Sequence, residues 1–367
     1  EYGDDTFDYP LYSDQPYQVY KRAVLKNNGS DMYNTVFRDP LVNELAKGLN
    51  TQTEAYQPVI SFINGEYWGI MSLRERYDEK FFNRVFGIPE NEIELLENDG
   101  YRVEEGDNDA YMELFDWLEV NTLATPENYQ YIKTKIDPDS FTDYFITNIF
   151  LQNKDWPGNN VIFWRRSLSQ YDPGAPYGND GRWRWAVHDV TSTFSNAQSN
   201  TLQVATDPNG PSSPNPPWST LWLRRLLEND EFKTQFITRF ADLMNTYYST
   251  SRIIGKIDEL AAILAPEINE MSARWKAPQD YNDWIFFINK QKQFSAQRPS
   301  FQRMHIRQQF GIANDIEVTV QVSNSDHGFV KVNTIDIVSS TPGVPANPYP
   351  WTGIYFSNIP VKLKAVA

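Results

Sequence analysis

Asp155, Asn160 and Asp189 carry the oxygen-bearing side chains whose types and spacing could do chemistry. The first two share one loop, Asn153-Lys154-Asp155-Trp156-Pro157-Gly158-Asn159-Asn160, and the third follows the next pair of apolar runs. Phosphoryl transfer needs such a set: a carboxylate beside the attacking hydroxyl, and oxygen ligands for the cations that bridge a nucleotide's phosphates. An Asp-x4-Asn string alone arises by chance, and the bland alternative is that both residues satisfy loop amides. The strand pair ending in a third oxygen ligand gives the pattern its weight.

The elements that must position these residues run from Pro138 to Phe194. Phe141, Tyr144, Phe145 and Ile149 fall on one face of a helix, with Asp137 as its N-cap and Pro138 at its first position. Val161 to Trp164 and Trp183 to Val187 read as two strands joined by a glycine- and proline-rich turn. If they form an antiparallel hairpin with Val161 opposite His188, Asn160 faces Asp189, with Cα atoms about 4.5 to 5.5 Å apart. Asp155 then sits just above them.

Composition narrows the classes of function. The chain has 367 residues, hydrophobic residues make up 40% and aromatics 15%, which excludes disorder for most of it. Lys and Arg total 33 against 48 Asp and Glu, a formal charge of -15, which argues against duplex nucleic acid or an anionic bilayer as main partner. A basic protein partner or cation uptake is compatible with that sign. With no cysteine, disulfides, thiolate nucleophiles and iron–sulfur or cysteine zinc sites are excluded. Only His188, His305 and His327 are histidines, and no two stand at ligand spacing, so a hard cation on carboxylates is the open metal option. No apolar run reaches membrane-spanning length. A start at Glu1 reads as a mature or trimmed product, and the cysteine-free composition fits a secreted or cell-surface, bacterial protein.

The rest of the chain divides by texture. Residues 1 to about 18 read as an extended lead-in, Val19 to Leu25 as a short strand, and Asn27-Asn28-Gly29-Ser30-Asp31 as an ordinary turn that could also offer N–H groups to a phosphate. A helix spans Pro40 to Gly48, and Asn64-Gly65 joins the apolar runs Pro58 to Ile63 and Tyr67 to Leu73 into a hairpin. Arg74, Glu75 and Arg76 leave that hairpin, where Glu75 either lies in a cleft or is paired locally. Glu90 to Asp109 reads as an acidic, solvated connection. Ser195 to Pro217 is a polar loop, either a surface insertion or a cover over a bound substrate. Helices follow, with Trp284 to Gln297 and a last one from Pro299, where His305 reads as structural. From Ile316 the alternation of Val318, Val320 and Val322 predicts a small β module of sandwich or repeat type. The whole is α+β: a sheet-rich part to about residue 100, a helical part from 101 to 312 with a ligand cleft between them, and the module over 313–367.

The residues also resemble a known family. The five-residue separation of Asp155 and Asn160 is that of the catalytic aspartate and magnesium-binding asparagine of protein-kinase loops. Phe37-Arg38-Asp39, Asn64-Gly65-Glu66-Tyr67-Trp68-Gly69, Arg74-Glu75, the Asp-Trp-Pro and Asn-Asn pieces of 153–160, Trp164-Arg165, and Trp183-Arg184-Trp185 leading to Asp189 together resemble the CotH family of atypical, spore-coat-type protein kinases. The resemblance covers roughly residues 18 to 312. It implies a divergent two-lobed kinase-like fold that binds ATP with magnesium, manganese or calcium and phosphorylates serine or threonine of a protein substrate. By position it makes Asp155 catalytic, Asn160 and Asp189 the metal ligands, and Glu75 and Arg38 parts of the nucleotide side. Family members usually carry Asp-x-Asp at the second site, where this chain has Asp189-Val190-Thr191. The nucleotide-binding lysine has no obvious match; Lys21 and Lys26 are the nearby options, and the reading is of an N-terminal strand missing before Glu1. A kinase-like surface binding or scaffold protein with weak or no activity is therefore the alternative.

Overall fold

A computed structural model describes residues 6–208 and 216–367. The short pair β1 (Phe7–Asp8) and β2 (Val19–Tyr20) precedes strand β3 (Val24–Lys26), helix α1 (Arg38–Ala46) and the hairpin β4 (Tyr56–Ile63) and β5 (Glu66–Arg74). The hairpin turn is the one its sequence demands: Asn64 and Gly65 both take positive φ, 53° and 84°. Strands β3 and β4 flank β5 in an antiparallel sheet. Helix α2 (Glu79–Phe86) follows, capped by the Asp78 carboxylate at its N-terminus and closed by Gly87 at a φ of 69°.

Next come β6 (Ile93–Glu97), β7 (Arg102–Glu105) and the helices α3 (Asp109–Val120), α4 (Pro126–Lys133) and α5 (Pro138–Phe150). The stretch expected to be a solvated connection thus supplies an inner strand of a four-stranded sheet, ordered β7-β6-β8-β9, with β8 (Ile162–Arg166) and β9 (Arg184–Ala186). Acidic composition hid it. Glu94, 2% exposed, is tolerated inside because Arg165 reaches both its carboxylate oxygens at 2.6 and 2.9 Å.

Of the passage Ser195 to Pro217, residues 209–215 lie outside the described residues. Its earlier part is not all loop, since α6 (Thr201–Thr206) buries Leu202 and Ala205. Helices α7 (Pro217–Leu226), α8 (Asp230–Asn245), α9 (Thr250–Leu264), α10 (Ile268–Trp275) and α11 (Tyr281–Phe310) complete the helical part. Pro299 does not begin a separate helix but continues α11. The carbonyl its missing N–H leaves free, that of Ser295, accepts the Thr250 hydroxyl at 3.1 Å instead.

Beyond α11, β10 (Asp315–Val320) pairs with β13 (Trp351–Phe356), while β11 (Phe329–Val332) lies between β12 (Ile335–Asp336) and β14 (Leu363–Val366). These strands are tied to α8 through the buried Asp242 carboxylate, which accepts from Asn333, Tyr355, and the backbone N–H and hydroxyl of Thr334. The architecture is mixed helix and sheet. Among the described residues no helix is long and apolar enough to cross a membrane.

Candidate active site

Helix α5 delivers the loop as its sequence requires. The Asp137 carboxylate accepts from the backbone N–H groups of Asp139 and Ser140, Pro138 occupies the first turn, and Phe141 and Phe145 face the main core. Beyond the helix, Trp156 is 1% exposed and packs edge-on to Phe145 with ring centroids 4.9 Å apart. That anchor fixes Asp155 beside it.

Strands β8 and β9 form the expected hairpin, but in a different register. Ile162 opposes Ala186 and Phe163 opposes Trp185, one residue away from the pairing that would align Asn160 with Asp189. The reason is the match of faces. Ile162 and Ala186 belong to one apolar cluster with Trp164 and Leu95, whereas Phe163 and Trp185 face the main core. A one-residue slip would turn each partner to the wrong side. Asn160 and Asp189 still meet, because both leave the ladder with positive φ, 57° and 41°, and the Asn160 amide donates to the Asp189 carbonyl at 3.2 Å. Such backbone states cost of order 1 to 3 kcal/mol in non-glycine residues and cluster where a site over-determines them.

The two segments are laced along their length. Phe194 N–H donates to the Leu151 carbonyl at 2.9 Å, Lys154 N–H to the Ser192 carbonyl at 3.1 Å, and the Gln152 side-chain carbonyl accepts from the N–H groups of Ser195 and Asn196. The Ser192 hydroxyl donates to the Asp155 carboxylate. Asp155, Asn160 and Asp189 are thereby held on one framework.

Of the three, Asp189 lines a cavity of about 560 Å³, whereas Asp155 and Asn160 are not part of its lining. One wall is the sheet and the turn after it, with Lys26, Asn28, Gly29, Ser72 and Arg74, and the other carries His188, Asp189 and Thr191. Asn28 is 7% exposed, and its amide N–H₂ lacks a partner although its oxygen accepts from Ser72, so a donor is left in the lining.

Beneath the cavity lies a buried ion network that no local motif announced. Glu54, 5% exposed, stands 3.3 Å from Lys26 Nζ, 3.1 Å from Arg74 Nη2 and 3.5 Å from His188 Nδ1. Arg74, fully buried, also binds Asp39, whose other oxygen accepts the Val190 N–H at 3.1 Å. Burial works against the Glu54 charge, but Lys26 and Arg74 outweigh it and hold the carboxyl far below the usual range. For His188, burial opposes the proton and Glu54 favours it; the carboxylate wins and raises the imidazole above its ordinary value.

The expected nucleotide-side residues fall differently. Glu75 is sealed away from this cavity, where it accepts the Ala55 N–H at 2.8 Å and pairs with Arg84. Successive residues of an extended chain point to opposite faces, so Arg74 at the end of β5 faces the cavity and Glu75, just past it and 3% exposed, is buried on the other side. Arg38 reaches the Thr191 carbonyl at 3.0 Å and Asp31 at 3.4 Å, pinning the backbone two residues past Asp189. Lys21 pairs with Glu90 at 2.8 Å, whereas Lys26 lines the cavity.

As a metal site the donor set is lean but of the right kind. Asp189 offers a carboxylate, Asn160 an amide oxygen, and Thr191 a hydroxyl that donates to Asp189 at 3.1 Å. Among the described residues no three His, Cys, Asp or Glu side chains gather as a cation cage. All-oxygen donors with few protein ligands suit magnesium, which keeps several waters and is completed by substrate phosphates.

The family model for the CotH kinase protein matches residues 6–302. The chain belongs to the CotH kinase family. No curated protein matches it. CotH membership covers the sheet, the ion network and the laced loops, while β10 to β14 lie beyond the match. Within this CotH chain the sequence pattern did not single out Glu54, and it gave Asp39 and His188 no place in an ion network. The only signal at Glu54 was a lone acid just before an apolar strand, and burial alone gave it meaning.

Proposed function

We propose that this chain is an ATP- and divalent-metal-dependent phosphotransferase, built on a divergent two-lobed kinase-like fold, that acts on serine or threonine of a protein substrate. One observation carries the reading: Asp155, through Ser192, and Asn160, through the Asp189 carbonyl, converge on one segment at the rim of a cavity whose opposite wall holds Lys26. Asp155 orients the acceptor hydroxyl and takes its proton as that oxygen bonds to the γ-phosphorus; the bond to the β-phosphate oxygen breaks and ADP leaves. Lys26, Asn28 and His188 face the nucleotide's phosphates. Asn160 and Asp189 would hold magnesium, with manganese or calcium as substitutes, and the ion's charge would offset that of the phosphates. Secretion or display at the cell surface belongs to the same proposal, supported by the cysteine-free composition.

The test is transfer of labelled γ-phosphate to a mixed protein substrate by the whole chain, and its loss in Asp155→Asn with an unchanged unfolding curve. Failure to bind ATP with any of the three cations overturns the reading. A second reading, a kinase-like binding protein with weak or no transfer, draws on Thr191 standing where a carboxylate is usual. ATP binding without transfer, and restored transfer in Thr191→Asp, would favour it.

A further inference from the structure

A second groove, of about 520 Å³, opens on the other side of Thr191, the residue it shares with the first cavity. Its charge runs against that of the molecule. In a chain of net charge -15, Arg38, Lys154 and Lys290 line this groove, and no Asp or Glu does among the described residues. Neither lysine has an ion-pair partner among the described residues. Lys154 is exposed, and Lys290 lies 4.4 Å above the Phe286 ring.

The groove also carries an unsatisfied buried acceptor. Gln291 is 1% exposed, yet its side-chain oxygen has no hydrogen-bond partner while its nitrogen donates to Thr35. An unpaired acceptor of that kind costs about 1 to 3 kcal/mol unless a ligand or water satisfies it. Gln293 and Gln297 add amides able to pair with an extended backbone, and Phe287 and Phe294 add apolar wall. Ser192, whose hydroxyl donates to the Asp155 carboxylate, also lines the groove.

We propose that this groove binds an acidic, extended segment of the protein substrate, with Lys154 and Lys290 reading Asp or Glu side chains that flank the acceptor serine or threonine. The assignment rests on the phosphotransfer reading for the identity of the acceptor, but the charge preference stands on the groove alone. The whole-chain sign is compatible with a basic partner or with cation uptake; the lining of the groove has the opposite sign at the point of contact. Charges within a few ångströms decide recognition, because more distant ones are screened over about 8 to 10 Å of saline.

Two fluorescein-labelled peptides with one central serine test it, one flanked by glutamates and the other by lysines, titrated by anisotropy against the whole chain without nucleotide. The acidic peptide should bind and the basic one should not. Lys290→Glu and Lys154→Glu should each weaken the acidic peptide about tenfold, equivalent to about 1.4 kcal/mol, and leave affinity for a fluorescent ATP analogue unchanged. Equal binding of both peptides, or no binding of either, overturns the proposal, as does a lysine variant that weakens the ATP analogue instead. If the acidic peptide binds selectively yet is never phosphorylated, the groove stands and the phosphotransfer reading falls. If phosphate is transferred without regard to flanking charge, the reverse holds.

Discussion

Replacing Glu54 with glutamine removes one negative charge from beneath the cavity while keeping the side chain's shape. Three cations lose a partner, but unequally. Lys26, whose side chain is 35% exposed, can rehydrate, and His188, whose proton Glu54 favours against burial, can release it. Arg74, fully buried, can do neither and keeps only Asp39. Breaking a buried pair by removing one partner costs about 3 to 5 kcal/mol. Because one of Arg74's two carboxylates survives and the new amide oxygen still accepts, the expected loss is at the low end, about 3 kcal/mol. Urea unfolding at pH 7 measures that loss, and proton NMR follows the His188 ring, resolvable among three histidines. The imidazole should titrate at lower pH in Glu54→Gln than in the wild type. Unchanged stability together with an unchanged His188 titration would refute the network as described.

Other outcomes can be stated briefly. If Asn160 holds the cation as proposed, Asn160→Ala should weaken magnesium-dependent binding of an ATP analogue about tenfold and leave metal-free binding intact; fluorescence titration with and without EDTA checks it. Asp242→Ala strands the donors of Asn333, Thr334 and Tyr355 and should cost about 3 kcal/mol or more, read as a lower urea midpoint and early proteolysis beyond residue 312. His305, 3% exposed, is held down to about 4, against an ordinary 6.5, by burial and the nearby Arg298 charge. Between those values the unfolded chain binds the proton and the folded one does not, so stability should fall as pH drops from 6.5 to 4, by about 3 kcal/mol in all. His305→Gln should flatten that slope in urea midpoints; parallel curves would contradict it.

The sequence by itself determined the parts whose causes are local. Asp137-Pro138 announces the start of α5, Asn64-Gly65 dictates the positive-φ hairpin turn, and the order of motifs from Phe37 to Asp189 carries the family. It could not determine what depends on a partner far along the chain. Glu90 to Asp109 looked solvated because a charged residue in an inner strand becomes tolerable only when Arg165 arrives beside Glu94. The hairpin register was decided by which of two apolar clusters each residue faces, and a pattern that is apolar on both sides says nothing about that. Glu75 and Arg74 are adjacent letters whose roles separate only once the strand's two faces have different neighbours. The same holds for the site. Asp155, Asn160 and Asp189 were candidates by type and spacing, whereas the ion network of Glu54, Asp39 and His188 came into view only when folding buried a carboxylate among cations, since the energy of a charge is set by what surrounds it.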